Sequence, residues 1–378
     1  MVRREVTRMS NDVRELAIFI VNHNGLANLG NLLFRSLESL LNSASGTTGI
    51  DVWFVDNAST DGSVDAVREE FGDLLKYVVF RRNLGYGAAF NLAYRHTLRE
   101  GLRYRFYACS NNDIVVYNDA LKELLKWLRA LDKVFPQGFV VAPILKGRDG
   151  ELDSGSHYAD PSAKTWSLTL VVRSPVTLEK VMWGTPLPVS YADGAFIVFH
   201  HRLMGKDGPF NPKYFLYHED VEVSFRAWSS GIPSLLIPVE LGKHYRSSSA
   251  GRVKPLQTYT QVRNRVYTAC RYVGPKIIPE IMLWYLRALA LGAALSATCR
   301  VRGSRERPYP IRTITRGLID ALRWALSEGL GVTGRRIPLL DIPLSKAVSR
   351  KTLLSTVQRK LKEVLKHHAM LVRAGTGP

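Results

Sequence analysis

Short apolar runs that each close on a loop rich in Asn, Asp or Gly constrain this chain more than any other feature. Leu16-Ala-Ile-Phe-Ile-Val21 ends in Asn22-His-Asn-Gly25, and Val52-Trp-Phe-Val55 runs straight into Asp56-Asn-Ala-Ser-Thr-Asp-Gly-Ser63. Tyr77–Arg81 leads into Arg82-Asn-Leu-Gly-Tyr-Gly87. Brief β-rich runs bounded by turn residues read as buried strands. Between the first two lies a helical pattern through Leu41, with Leu29, Leu32, Leu33, Leu37 and Leu40 on one side. A second helix is expected near Ser63–Phe71. Strand-helix-strand alternation implies βαβ units and a mainly parallel sheet. Such sheets bind ligands outside the carboxyl ends of their strands. The three polar loops fall at those ends, so they are expected to form one site.

Further along, Tyr104–Cys109 reads as a fourth strand ending in Ser110-Asn-Asn-Asp-Ile114. Its Asp113 could hold a divalent metal through hard oxygen ligands, or the Asn/Asp cluster could simply form a turn. Asn118–Asp132 reads as a helix and Gly138–Leu145 as a strand. Residues 146–190 are less regular and read as a variable insert that shapes an acceptor pocket. Order returns at Tyr191-Ala-Asp-Gly-Ala-Phe-Ile-Val-Phe199, where a strand starts at Gly194 and Asp193 lies just before it. Then comes Tyr214–Arg226, an aromatic run carrying Glu219 and Asp220, with Val221, Phe225 and Trp228 at helical spacing. Acids at a helix start are also expected from the helix dipole alone. Arg226 is a partner for Glu222 at i, i+4. Leu235–Pro238 is a strand. His244 taken alone reads as an ordinary partly buried histidine.

The 378 residues are 46% hydrophobic, enough for a sizeable core in two or three domains. Cys109, Cys270 and Cys299 lack metal or disulfide spacing and fit a reducing cytoplasm. The net charge of +19 is concentrated at one end: residues 299–378 hold 17 Lys/Arg against 5 Asp/Glu. A basic tail can meet nucleic acid or an anionic membrane. No zinc-finger spacing or aromatic-basic motif supports nucleic acid, which is not expected as a partner. Met1–Glu15 is polar, and Leu16–Val21 is too short for the apolar region of a secretory leader. Ile277–Thr298 is apolar but interrupted by Glu280 and Arg287, so it reads as an amphipathic or interfacial helix and not a span. Thr258–Tyr272 reads as a helix carrying Arg263-Asn-Arg265, a basic and amide set that could meet phosphate groups. Lys351–Leu371 is basic and amphipathic, suited to an anionic membrane surface or to packing on the catalytic domain or in a homo-oligomer.

The ordered set Val21–Gly25, Val55–Ser63, Asn83–Asn91, Asn111–Ile114, Asp193–Phe196, Glu219-Asp220 and His244 resembles the family 2 inverting glycosyltransferases with a GT-A fold, on the rhamnosyl- and galactofuranosyltransferase-like branch. The resemblance covers about residues 16–270. It implies an α/β, Rossmann-like, mainly parallel sheet with an α-helical C-terminal extension over 271–378 and a polar segment at 1–15. It also implies transfer of a sugar from a UDP- or dTDP-type nucleotide-diphosphate donor to a glycan, and the basic, amphipathic C-terminal region suits a lipid-linked glycan acceptor at the cytoplasmic face of the membrane.

In that reading Asp56 binds the nucleotide base, near Asn22 and Asn24. Asn57, Asn83, Gly85, Tyr86, Asn91, Asn111 and Asn112 complete the donor site. Asp113 binds Mg²⁺ or Mn²⁺ as the last acid of the family's D-x-D motif, and His244 is a further metal ligand. Asp220 is the general base with Glu219 beside it, and Asp193 and Gly194 meet the sugar or acceptor. Asn111 stands where the motif has its first Asp, which removes a charge and lowers the expected metal affinity. The competing readings are a sugar nucleotidyltransferase and a catalytically weak nucleotide-sugar-binding subunit. The first is disfavoured by the lack of a Gly-rich, Lys/Arg-bearing loop at the first strand end, and the second by the retained Asp113, Asp220 and His244.

Overall fold

The computed structural model describes residues 13–154, 157–159, 171–173, 186–246, 255–274, 278–301 and 311–328. The amphipathic segment Lys351–Leu371, most of the polar segment 1–15 and much of the insert lie outside these residues.

The chain opens with β1 (Arg14–Asn22), α1 (Gly25–Leu29), α2 (Asn31–Ala44), β2 (Ile50–Asp56), α3 (Ser63–Phe71), β3 (Lys76–Val79), α4 (Tyr86–Arg99) and β4 (Tyr104–Ser110). The single expected helix after Gly25 is split at Gly30, whose φ of 54° breaks the helical run. There follow β5 (Ile114–Val116), α5 (Ala120–Val134), β6 (Val140–Lys146), β7 (Leu152–Ser154), β8 (His157–Ala159), β9 (Val171–Arg173), β10 (Leu187–Pro188) and β11 (Phe196–His200). The last elements are α6 (Glu219–Ser229), β12 (Ser234–His244), α7 (Pro255–Val273), α8 (Ile278–Val301) and α9 (Ile311–Ser327).

The main sheet has the order β10-β12-β6-β11-β4-β1-β2-β3. β1 pairs in parallel with β2 and β4, β2 with β3, and β6 with β12. β11 is inserted antiparallel between β4 and β6. The mixed α/β, mostly parallel sheet and the helical C-terminal region are thus present. Alternating side chains of the central strands fill two buried layers. Leu16, Ile18 and Ile20 pack with Leu33, Leu37 and Leu40 of α2, whereas Ala17 and Phe19 pack with Ala89, Phe90 and Ala93 of α4. This continuous burial on both faces explains why the strands read as unbroken apolar runs.

β12 is far longer than the expected Leu235–Pro238. It has register shifts between Leu236 and Gly242 and then pairs antiparallel with β5, setting His244 opposite Ile114. A third apolar cluster joins Tyr214 to Val266, Tyr267 and Cys270 of α7 and to Ile314, Leu318 and Ala321 of α9. No helix of the described residues is long and apolar enough to cross a membrane.

Candidate active site

Parallel registry brings the polar loops together. Asn22 stands opposite Asp56, and Asn57 N–H donates to the Asn22 carbonyl at 2.7 Å. Asn22 Nδ2 donates to Asp56 Oδ1 at 3.1 Å, and Asn112 Nδ2 donates to Asn22 Oδ1 at 2.7 Å. Asp56 also accepts from Ser59 N and Ser59 Oγ. Asn24 accepts from Thr60 N at 2.8 Å. Gly25 is required here, because a Cβ at that position would lie 2.1 Å from Asn22 Oδ1. Asn57 Nδ2 donates to Asn83 Oδ1 at 3.0 Å, and its Oδ1 accepts from Leu84 N at 2.8 Å. The loops therefore form one hydrogen-bonded frame. Asp56 is 1% exposed and fully engaged within it. Asn91 is also buried, with Nδ2 donating to the Phe210 carbonyl and Oδ1 accepting from Phe210 N–H. Both atoms of that amide are thus occupied in holding the 210 segment.

The acid pair reaches the same end of the sheet from the far side of β11. Gly194 N–H donates to Asp220 Oδ2 at 3.0 Å, and Val221 N–H donates to Asp220 Oδ1 at 2.8 Å. A Cβ on Gly194 would lie 3.0 Å from Asp220 Cβ, so a larger residue there would press on the Asp220 side chain. Tyr86 OH donates to the Gly194 carbonyl at 3.0 Å, and Tyr86 N–H donates to the Phe215 carbonyl at 2.8 Å. Gly85 lies directly on that carbonyl, where a Cβ would approach to 2.1 Å. Asp193 Oδ1 accepts from Ala195 N–H, and the Ala195 carbonyl accepts from Asn111 N–H at 2.9 Å. One continuous set of contacts therefore links Tyr86, Asp193, Gly194, Asp220 and Asn111.

Glu219 and Asp220 begin α6, where the dipole favours negative charge. Their surroundings nevertheless differ. Glu219 is 8% exposed, and its Oε2 has no hydrogen-bond partner among the described residues. Burial, reinforced by the Asp220 charge, pushes Glu219 up to about 8. Two neighbouring acids in unlike environments are the arrangement by which sites separate acid and base roles. Arg226 Nε donates to Glu222 Oε1 at 3.1 Å, and Tyr272 OH donates to the same oxygen at 3.0 Å.

His244, at the end of β12, faces Asp113 at the β4–β5 turn. Its Nε2 lies 3.2 Å from Asp113 Oδ1 and 3.3 Å from the Asn111 side-chain amide. Its Nδ1 lies 2.7 Å from Asp153 Oδ2, and Asp153 also binds Arg246. Burial lowers the His244 pKa, but its hydrogen bonds to Asp113 and Asp153 outweigh this and raise it to about 9. Burial raises Asp153, yet hydrogen bonds from His244 and Arg246 hold it below the usual carboxylate value. A carboxylate on one imidazole nitrogen is the usual device that turns the other nitrogen toward a metal. Asp113 offers a hard oxygen to a divalent cation such as Mg²⁺ or Mn²⁺, and His244 would offer Nε2 to it only on giving up the proton it now shares with Asp113. Among the described residues no three acidic, His or Cys side chains converge as a ready-made cage. Such a pair leaves most coordination positions to phosphate oxygens and water.

Sequence reasoning missed two contributors. Asp153 sits in the irregular insert, on a three-residue strand with no periodic signal. Asn264 was expected near phosphates, but it is fully buried and its Nδ2 contacts the carbonyls of Tyr214, Leu216 and Tyr217 at 2.8, 2.9 and 2.7 Å. Arg263 binds the Lys213 and Tyr214 carbonyls. The clamped loop carries positive φ at Phe215, Tyr217 and His218, immediately before Glu219. Residues held in such a region outside glycine are strained and persist only where neighbours hold them.

With this geometry in place, relatives become informative. Residues 17–184 match the model of glycosyl transferase family 2. The chain is 25% identical over 287 residues to the N-acetylglucosaminyl-diphospho-decaprenol L-rhamnosyltransferase of Mycobacterium tuberculosis (strain CDC 1551 / Oshkosh), covering 72% of this chain and 92% of that protein. Among solved structures, the mannosyltransferase PcManGT from Pyrobaculum calidifontis, in complex with GDP-Man and Mn²⁺, is 18% identical. That match covers 84% of this chain and 88% of the other, with a TM-score of 0.47. S. aureus TarS is 15–16% identical. One TarS structure matches 67% of this chain with a TM-score of 0.42, and this chain spans 39% of it. Residues 17–184 are a glycosyltransferase family 2 domain. The chain is a glycosyltransferase with a mixed α/β, mostly parallel sheet and a helical C-terminal region.

Proposed function

We propose that the protein transfers a sugar, with inversion, from a nucleotide-diphosphate donor to a hydroxyl of a glycan or lipid-linked glycan, using Asp220 as the base. The observation that carries this reading is the fixed position of Asp220. Its two oxygens are oriented by Gly194 and Val221 N–H groups, at the strand ends where the polar loops gather. In the reaction an acceptor oxygen attacks the anomeric carbon while its proton passes to the Asp220 carboxylate. The bond from that carbon to the diphosphate oxygen breaks, and its electron pair leaves with the nucleoside diphosphate. Attack from the face opposite the leaving group inverts the centre.

Asn22, Asn24, Asp56, Asn57, Asn83 and Asn112 frame the nucleotide side, with Asp56 supporting the loop through Ser59 and Asn22. Gly85 and Tyr86 bring the start of α4 against the acid pair. Asp193 and Gly194 lie on the sugar and acceptor side. Asp113 and His244 would hold a divalent cation, with Asn111 beside them, and that ion supplies positive charge to the departing diphosphate. Burial and the neighbouring Asp220 favour the protonated form of Glu219.

The named relative acts on a diphospho-decaprenol glycan, which supports a lipid-linked acceptor. Met282, Leu283 and Leu286 of α8 are exposed, and Arg316 and Arg323 project from α9. Apolar side chains and arginines on neighbouring helices suit the surface of an anionic membrane.

The experiment is a donor screen with the full chain and Mn²⁺. UDP- and dTDP-sugars are offered with a prenyl-diphosphate glycan, and the product's anomeric configuration is read by NMR. Transfer with inversion supports the proposal. Retention, or formation of nucleotide-sugar from a sugar phosphate, would overturn it.

A further inference from the structure

Helix α7 presents three consecutive polar residues to the strained loop. Arg263 and Asn264 are engaged by its carbonyls. Arg265 is held differently. Its Nε donates to His218 Nε2 at 2.9 Å, and His218 immediately precedes Glu219. An imidazole nitrogen that accepts from a guanidinium carries no proton of its own. Burial, together with the charge of Arg265, pushes His218 down to about 3. The pair therefore has a net charge of one, carried by the arginine.

Several other partly buried arginines among the described residues are matched by acids. Arg14, Arg105, Arg226, Arg246 and Arg271 each pair with a carboxylate. No carboxylate among the described residues pairs with Arg265. Tyr191, two residues before Asp193, is the group whose field favours its cation. Burial pulls Arg265 below its ordinary value, whereas Arg226 and Arg246 lie above theirs beside their carboxylates. Keeping a half-buried charge unmatched is unfavourable unless something else completes it. The planar guanidinium fork is suited to phosphate oxygens.

We infer that Arg265 is an anion-binding residue of the active site that takes a diphosphate ester of a substrate. It borders the acid pair through His218, and the field of Tyr191, two residues before Asp193, favours its charge. The inference rests on the glycosyltransferase reading. Two substrates of that reaction can carry a diphosphate: the nucleotide donor and an acceptor joined to lipid through one. The chemistry recognised is the same.

The test is calorimetric binding of two probes to the full chain with Mn²⁺: a nucleoside diphosphate (UDP or dTDP) and farnesyl diphosphate. The variants are Arg265→Ala, Arg265→Lys and His218→Asn, with Tm recorded for each. One charge-assisted contact corresponds to roughly a ten-fold to hundred-fold loss. Arg265→Ala is expected to weaken one probe at least ten-fold, Arg265→Lys to recover part of that, and His218→Asn, which releases the guanidinium from its partner, to fall between wild type and Arg265→Ala. Loss on the nucleoside diphosphate assigns the donor, and loss on farnesyl diphosphate assigns the acceptor. If Arg265→Ala binds both probes as wild type does, or if its loss comes with a fall in Tm and Arg265→Lys restores Tm but not binding, Arg265 is only a support for the loop and the inference fails. Wild type that binds neither probe would overturn the proposed UDP- or dTDP-type donor and diphosphate-linked acceptor themselves, so the two failures are distinguishable.

Discussion

Replacing Asn264 by alanine tests how the acid pair is positioned. The Asn264 amide offers two N–H groups to three carbonyls, all within 2.9 Å. Two net hydrogen bonds contribute about 1 kcal/mol each, and a buried carbonyl left without a donor costs about 1–3 kcal/mol more. The Tyr214 side of the loop is buried and cannot easily recruit water. The sum is about 3–5 kcal/mol, to be set against a total stability of roughly 5–15 kcal/mol. At about 2–4 °C per kcal/mol for a domain of this size, Tm should fall by roughly 6–20 °C. The loop could instead give up its strained conformation at Phe215, Tyr217 and His218, which limits the loss of stability but moves Asp220. A displacement of about 1 Å at a catalytic group costs about 100-fold in rate.

The assay is donor turnover below the melting range, with nucleotide affinity measured separately. The expected result is a kcat at least ten-fold lower with a smaller change in donor-nucleotide Kd, because Asn57 reaches this loop only through Gly85 and Tyr86. Asn264→Asp, of equal size, should be worse than alanine, since a second oxygen would face three carbonyls. Wild-type kcat together with an unchanged Tm for Asn264→Ala would refute the argument.

Two further outcomes follow from the same geometry. Asp153→Asn removes the charge that fixes the His244 ring, so Mn²⁺ affinity should fall about 10–100-fold, as read by equilibrium dialysis while nucleotide binding without metal is unchanged. Glu219 has a folded-state pKa near 8 against an ordinary 4.5, so the proton it binds stabilises the fold below about pH 4.5 and that contribution is lost as pH rises toward 8. Tm of Glu219→Gln measured against wild type should therefore become steadily more favourable between pH 5 and pH 8, and a constant difference would show that Glu219 is not buried as described.

Much of the frame was legible in the sequence because it depends on local pattern. β1 and β2 bury both faces, so they appear as continuous apolar runs, and their polar ends predict the convergence of Asn22, Asp56 and Asn57. The Glu222–Arg226 pair follows from helical spacing alone. Other contributors leave no local trace. Asp153 reaches His244 across 91 residues from a three-residue strand. Asn264 binds carbonyls 47–50 residues away, and nothing in Arg263-Asn-Arg265 shows which member faces the loop. Asn91 was expected to line the donor site, yet nothing local indicated that the Phe210 backbone would occupy its amide. The boundaries of β12 were missed because a bulged strand that changes partners breaks the alternation by which strands are read.

The account centres on Asp220 as the base, and one measurement bears on it directly. Steady-state donor turnover of Asp220→Asn should be compared with wild type at the same Mn²⁺ concentration, with UDP or dTDP affinity measured in parallel. Asn keeps an oxygen for the Gly194 N–H and preserves the shape of the site but cannot take the acceptor proton. A fall in kcat of about 10²–10⁴-fold with nucleotide affinity within two-fold of wild type is the predicted result. Turnover at the wild-type rate would show that another group accepts the proton and would contradict the account.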